Sequence, residues 1–105
     1  IHVSDLANAH VLALRGLDQE ESSGFYNLGT GRGYSVKEVV STTQAVVGSL
    51  VRHSIGARRA GDPPSLVANA ELFSSRFDWV PGVSDLETII ESAWRWELQS
   101  QHARP

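Results

Sequence analysis

Apolar positions recur along this chain at helical spacing in several stretches, with short alternating stretches between them. Ile1 to Val3 is apolar and β-prone, and Ser4 or Asp5 can cap a helix after it, since either side-chain oxygen accepts from a free first-turn amide. Leu6, Ala7, Ala9, His10, Ala13, Leu14 and Leu17 then follow at helical spacing. The acidic run from Asp18 to Glu21 and the Ser22-Ser23-Gly24 stretch end that helix. Phe25 to Leu28 reads as a short strand, and Gly29-Thr30-Gly31-Arg32-Gly33 as a loop free to take positive φ at its glycines.

Ser35-Val36-Lys37-Glu38 is a capping box, in which the serine oxygen covers the Glu38 amide and the glutamate reaches back to Ser35. The helix it opens carries Val36, Val39, Val40 and Val47 and stops at Gly48. Leu50 to Ile55 alternates as a strand does, and Leu66 to Ala68 is a short extended piece. Asn69 is placed to cap a brief helix through Phe77, and Trp79-Val80-Pro81-Gly82 forms a turn. A second capping box, Ser84-Asp85-Leu86-Glu87, starts the last helix, whose stripe is Leu86, Ile89, Ile90, Ala93, Trp94 and Leu98. Gln99 to Pro105 is a polar tail expected to fray, leaving residues 1–98 as the folded region. The layout is α/β with few, short strands. It opens on what reads as the second half of a strand and contains no methionine, so a piece completed by another segment is expected.

Composition narrows the function classes. A length of 105 residues fits one domain or part of a larger one, and 41% hydrophobic with 20% charged residues is ordinary for a globular protein. The net charge of −3 supplies no basic field, which argues against wholesale nucleic-acid binding. With no cysteine, disulfides and thiolate metal sites are excluded, and a reducing compartment such as the cytoplasm is expected. No apolar run approaches the roughly 20 residues of a membrane span.

The segment Ala57-Arg58-Arg59-Ala60-Gly61-Asp62-Pro63-Pro64 carries the most chemistry. A guanidinium presents a planar fork of donors that matches phosphate oxygens two at a time. Asp62 can accept from sugar hydroxyls beside those phosphates. A nucleoside diphosphate site needs this pairing, although a solvated basic loop with a local ion pair fits the same residues. The glycine loop does not make a dinucleotide fingerprint: Gly29 and Gly31 fill two of its places, but Tyr34 stands where the third glycine belongs. No acidic residue closes the stretch from Leu50 to Ile55 to hold a ribose.

Tyr34 and Lys37 are one residue too close for a Tyr-x-x-x-Lys pair, and no catalytic residue is assigned. His2, His10, His53 and His102 lack zinc-helix spacing, so no metal site is assigned, and His10 reads as a core-edge histidine. Trp94 falls on the buried stripe, Trp79 packs in a turn against it, and Trp96 lies on a different helix face.

Together Ile1-His2-Val3-Ser4-Asp5-Leu6-Ala7 with Ala9-His10, Tyr26-Asn27-Leu28-Gly29-Thr30-Gly31, Ser35-Val36-Lys37-Glu38-Val39 and the Arg58-Arg59-Ala60-Gly61-Asp62-Pro63-Pro64 loop resemble the UDP-glucose 4-epimerase family. That family is a branch of the extended short-chain dehydrogenase/reductases. The resemblance covers the chain to about Trp96 and matches the family's carboxy-terminal region in order and spacing. It implies the small UDP-sugar-binding portion of an NAD-dependent epimerase, without the doubly wound domain that holds NAD. The parent enzyme would interconvert UDP-glucose and UDP-galactose through a 4-keto intermediate and be a homodimer; the fragment alone would not be catalytic.

By the resemblance Arg59 holds the diphosphate and Asp62 the uridine ribose. Leu66 stands four residues after that aspartate, where some epimerases carry a tyrosine that limits the N-acyl group at sugar C2. The smaller leucine is expected to admit N-acetylated UDP-sugars. The remaining expectations are another nucleotide-sugar epimerase, acting on UDP-N-acetylglucosamine, a UDP-hexuronate or a UDP-pentose, or a non-catalytic nucleotide-binding remnant.

Overall fold

A computed structural model describes residues 1–18 and 24–102. Four helices follow one another: α1, Val3–Asp18; α2, Val36–Val47; α3, Glu71–Phe77; and α4, Leu86–His102. The described residues contain no strand. The stretches expected as strands at Ile1 to Val3, Phe25 to Leu28, Leu50 to Ile55 and Leu66 to Ala68 are therefore corrected, and the α/β class is not realised within these residues. Alternating β-branched and aromatic residues report only that a segment suits a pleated, half-buried surface. A strand exists once a neighbouring backbone takes up its amides and carbonyls, and among the described residues no ladder of that kind forms. Phe25, Leu50 and Ile55 instead leave their side chains exposed.

The chain divides into two compact units, residues 1–33 with 67–85, and residues 34–66 with 86–105. In the first unit α1 packs on α3. Gly16 makes the approach possible: a Cβ there would lie 2.6 Å from Phe77 Cε1. Phe73 and Trp79 are buried at the centre with Ala9 and Ala70. The rings meet edge to face, Tyr26 to Phe73 at 5.5 Å and Phe73 to Trp79 at 5.6 Å between centroids, the arrangement that aromatic quadrupoles favour. Trp79 thus packs on α3. His10 is exposed, not at a core edge, and its Nδ1 lies 2.7 Å from the Leu6 carbonyl one turn back.

The start of α1 differs from the capping expected of Ser4 or Asp5. His2 does that work: its Nδ1 accepts from the Ser4 amide at 3.0 Å and its carbonyl from the Leu6 amide at 3.1 Å. Asp5 is released for a tertiary task. Its carboxylate accepts from the Gly82 and Val83 amides, both at 3.0 Å, and from the Ser84 hydroxyl. Ser84 Oγ in turn accepts from the His2 amide at 2.9 Å. This network ties the 82–84 turn to the first turn of α1. Burial disfavours the Asp5 charge, but the Ser84 hydroxyl, the two amides and the nearby His2 outweigh it and hold the carboxyl below its ordinary range. Helix α1 ends at Asp18, and the rest of the expected terminator, residues 19–23, lies outside the described residues.

In the second unit α2 packs on α4. The capping box at α2 forms in full: Ser35 Oγ accepts from the Glu38 amide at 3.2 Å and Glu38 Oε2 from the Ser35 amide at 2.7 Å. Gly48 closes the helix in the left-handed region at φ 71°. The valine stripe is less covered than its periodicity implies, for no residue of α2 is buried. On α4, Leu86, Ile89, Ile90 and Trp94 are half-buried, whereas Ala93 and Leu98 are exposed. That helix continues through His102, so Gln99 to His102 are helical rather than a frayed tail.

Candidate functional site

The Arg-Arg loop lies in the second unit. Its turn depends on Gly61, at φ 88°, which a side chain would strain. Arg58 Nη2 donates to the Asp62 carbonyl at 3.1 Å, and Arg59 Nε donates to Asp62 Oδ2 at 3.1 Å. The structure therefore brings Arg59 and Asp62 together, with each meeting the other. Their side chains are 86% and 50% exposed, and a pair so solvated contributes only about 0–1 kcal/mol. A phosphate could take the guanidinium at little cost, and Asp62 would then be free to accept from a hydroxyl. Leu66 is 88% exposed and lines neither of the two hollows described below.

Sequence reasoning missed the groove that precedes this loop. A hollow of about 480 Å³ opens between α2 and the extended stretch His53 to Gly56. Val36, Val40 and Ile55 give it apolar walls, and Lys37, Gln44 and Ser54 supply polar groups. Its volume falls in the range of about 300–1,000 Å³ typical of small-ligand pockets. Gln44 Oε1 accepts from the Val51 amide at 3.2 Å and so holds the extended stretch to the helix. The same stretch runs on through Ala57 into Arg58 and Arg59, so an apolar slot is followed in the chain by two guanidinium groups. Of the valine stripe, Val36 and Val40 line this groove, and the sequence carried no separate signal for it.

A second hollow, of about 380 Å³, lies in the first unit between Gly29–Gly31 and Val67–Glu71. Close approach explains the glycines beside it. A Cβ at Gly29 would stand 2.8 Å from Ala68 Cβ, and one at Gly33 would stand 2.8 Å from Val67 Cγ2. Only Gly31 of the three needs a positive φ, at 70°. The loop is thus built for packing on residues 67 and 68, not for a pyrophosphate. The start of α2 agrees, since the Glu38 carboxylate already occupies the end of the helix where a phosphate would have to sit. The residues present do not fit a dinucleotide.

Asn69 Oδ1 accepts from the Glu71 amide at 2.8 Å and its amide donates to Glu71 Oε2 at 3.2 Å, so it serves the start of α3 from just outside the helix. Among the described residues no group of histidine and carboxylate side chains could hold a metal ion, and no helix is long and apolar enough to cross a membrane.

No family model matches the chain. The UDP-glucose 4-epimerase of Halalkalibacterium halodurans is 45% identical over 102 residues, which is 97% of this chain and 30% of the relative. That of Azospirillum brasilense is 50% identical over 97 residues, 92% of this chain and 28% of the relative. Among solved structures, a UDP-glucose 4-epimerase aligns with a TM-score of 0.92 at 42% identity, covering 96% of this chain and 31% of that one. The Stenotrophomonas maltophilia enzyme with bound NAD and formylated UDP-arabinopyranose gives 0.89 at 36%, over 99% and 31%. The UDP-Glc/GlcNAc 4-epimerase of Campylobacter jejuni gives 0.85 at 41%, over 94% and 30%.

The chain therefore resembles nucleotide-sugar epimerases along nearly its whole length. Among these it is similar in particular to UDP-glucose 4-epimerase, and it spans about 30% of the length of the relatives it matches.

Proposed function

We propose that this chain is the carboxy-terminal UDP-sugar-binding part of an NAD-dependent UDP-glucose 4-epimerase. The similarity carries this reading: 97% of the chain aligns at 45% identity with an enzyme of that name. The site chemistry supports it independently. The groove beside α2 suits a base, held between Val36, Val40 and Ile55, with Gln44 and Ser54 for its polar edge. Arg59, next along the chain, takes the diphosphate in a bidentate grip, and Asp62 turns from Arg59 to the ribose hydroxyls.

The chain's own part in the reaction is binding and orientation. Holding the nucleotide end at several points fixes the sugar end, which lowers the entropic cost of reaching a reactive geometry. NAD supplies hydride abstraction and return when bound, and the residues described here do not hold it, so it belongs to the remainder of a full-length parent. That parent is proposed to be a cytoplasmic homodimer.

Leu66 favours a second substrate reading, turnover of N-acetylated UDP-sugars, because leucine leaves more room than tyrosine. A UDP titration of the full-length parent and its Arg59→Ala variant, with an assay of UDP-glucose and UDP-galactose interconversion, tests the main reading. Absence of both UDP binding and interconversion would sink it. UDP binding with no epimerase activity would leave a non-catalytic nucleotide-binding remnant.

A further inference from the structure

The loop that carries Arg59 and Asp62 has no helix or strand to hold it, and every residue from Ala57 to Leu66 is exposed. A segment this free loses conformational freedom when a ligand orders it, and that loss weakens binding. Whatever fixes the loop beforehand therefore strengthens the site.

Two arginines adjacent in sequence act on Asp62 at different places. Arg59 Nε reaches the carboxylate and Arg58 Nη2 reaches the main-chain carbonyl, both at 3.1 Å. The two bonds respond differently to a ligand. A phosphate on Arg59 and a hydroxyl on Asp62 draw the Arg59–Asp62 pair apart. The Arg58 bond ends on the backbone, so it survives that exchange. It closes the chain from residue 58 to residue 62 and so brackets Arg59 together with the left-handed turn at Gly61, φ 88°. On the far side Pro63 fixes its own φ and biases Asp62 towards extended backbone.

We propose that Arg58 is a positioning residue: by holding the Asp62 carbonyl it keeps the 58–62 turn closed while Arg59 and Asp62 release each other to take a nucleoside diphosphate. The inference rests on the reading of Arg59 and Asp62 as nucleotide ligands. Arg58 itself touches no part of the ligand. It supplies shape, and its neighbour supplies the grip.

Uridine separates this role from a direct hold on phosphate, because uridine carries the ribose and no phosphate. In the full-length parent, Arg58→Ala is expected to weaken both uridine and UDP about three- to tenfold by calorimetry, since a turn that opens carries Asp62 away from the ribose. Arg59→Ala should weaken UDP far more than uridine. The melting temperature of Arg58→Ala should stay within about 1 °C of wild type, because the side chain is exposed. Nuclear magnetic resonance of the 105-residue chain follows the turn without any ligand. There Arg58→Ala should move the Gly61 amide to its random-coil position, and Arg59→Ala should not.

A loss of UDP affinity with uridine affinity unchanged would make Arg58 a phosphate ligand and overturn the proposal. A melting temperature lower by about 5 °C alongside the affinity would also overturn it, as the mark of general destabilisation. So would a Gly61 amide that stays in place in the Arg58→Ala chain. A parent that binds UDP and responds to Arg59→Ala but not to Arg58→Ala keeps the functional reading and loses this proposal. A wild-type parent that binds neither uridine nor UDP removes the functional reading, and a Gly61 amide that still moves would then confine Arg58 to the turn and end its positioning role.

Discussion

Replacing Asp5 with alanine removes the acceptor on which the first unit's most separated contacts converge. The Gly82 and Val83 amides lose a charged partner at 3.0 Å, and the Ser84 hydroxyl loses the group it donates to. Loss of a charged acceptor from a partly buried donor costs about 1–3 kcal/mol, and the hydroxyl can turn elsewhere, so the two amides set a total of about 2–6 kcal/mol. Against a typical domain stability of about 5–15 kcal/mol this is a large fraction. Urea unfolding of the chain followed by helical circular dichroism measures it directly.

The pH dependence separates charge from packing. Asp5 is held below its ordinary value of 3.8, so its contribution is present above that value and is lost as pH falls through the depressed folded value. The gap between wild type and Asp5→Ala should therefore be widest near neutrality and narrow in strong acid. A loss under about 0.5 kcal/mol at pH 7, the range of ordinary surface substitutions, would refute the assignment of this network to stability. A gap that does not narrow in acid would refute the assignment to charge.

Arg59→Ala in the full-length parent should weaken UDP binding about tenfold or more, because a hydrogen bond to a charged group contributes about 1.5–3 kcal/mol; unchanged affinity by calorimetry would remove Arg59 from the site. Gly29→Ala should destabilise the first unit by about 1–3 kcal/mol in urea melts, since its Cβ would meet the Ala68 Cβ at 2.8 Å and neither atom can rotate away. Ser35→Ala should cost about 1 kcal/mol by the same assay through loss of the α2 cap, and a null result would mean the capping box is idle. Leu66→Tyr in the parent should depress turnover of UDP-N-acetylglucosamine more than that of UDP-glucose; equal effects on both sugars would place Leu66 away from the sugar.

Local rules were legible in the sequence because they act within a few residues. The Ser35–Glu38 box, the Gly48 stop, the short helix ending at Phe77 and the Arg59–Asp62 pair each depend on neighbours no more than about one helical turn away. The candidate site residues Arg59, Asp62 and Leu66 came from resemblance, which reports shared chemistry and not a fold. What lay beyond sequence was anything requiring a distant partner.

Asp5 reads as a helix cap until the turn at 82–84 arrives to claim its carboxylate. His2 reads as a stray imidazole until it caps α1 in its place. Val36 and Val40 read as part of one apolar stripe with Val39 and Val47 until the structure sets them along a groove. Strand propensity at Phe25 to Leu28 and Leu50 to Ile55 produced no strand, since propensity describes a side chain's fit to a surface whereas a ladder needs a second backbone. Periodicity along one chain fixes which residues share a face. Only tertiary structure decides whether that face meets a core, a ligand or water, because burial is a property of the neighbour.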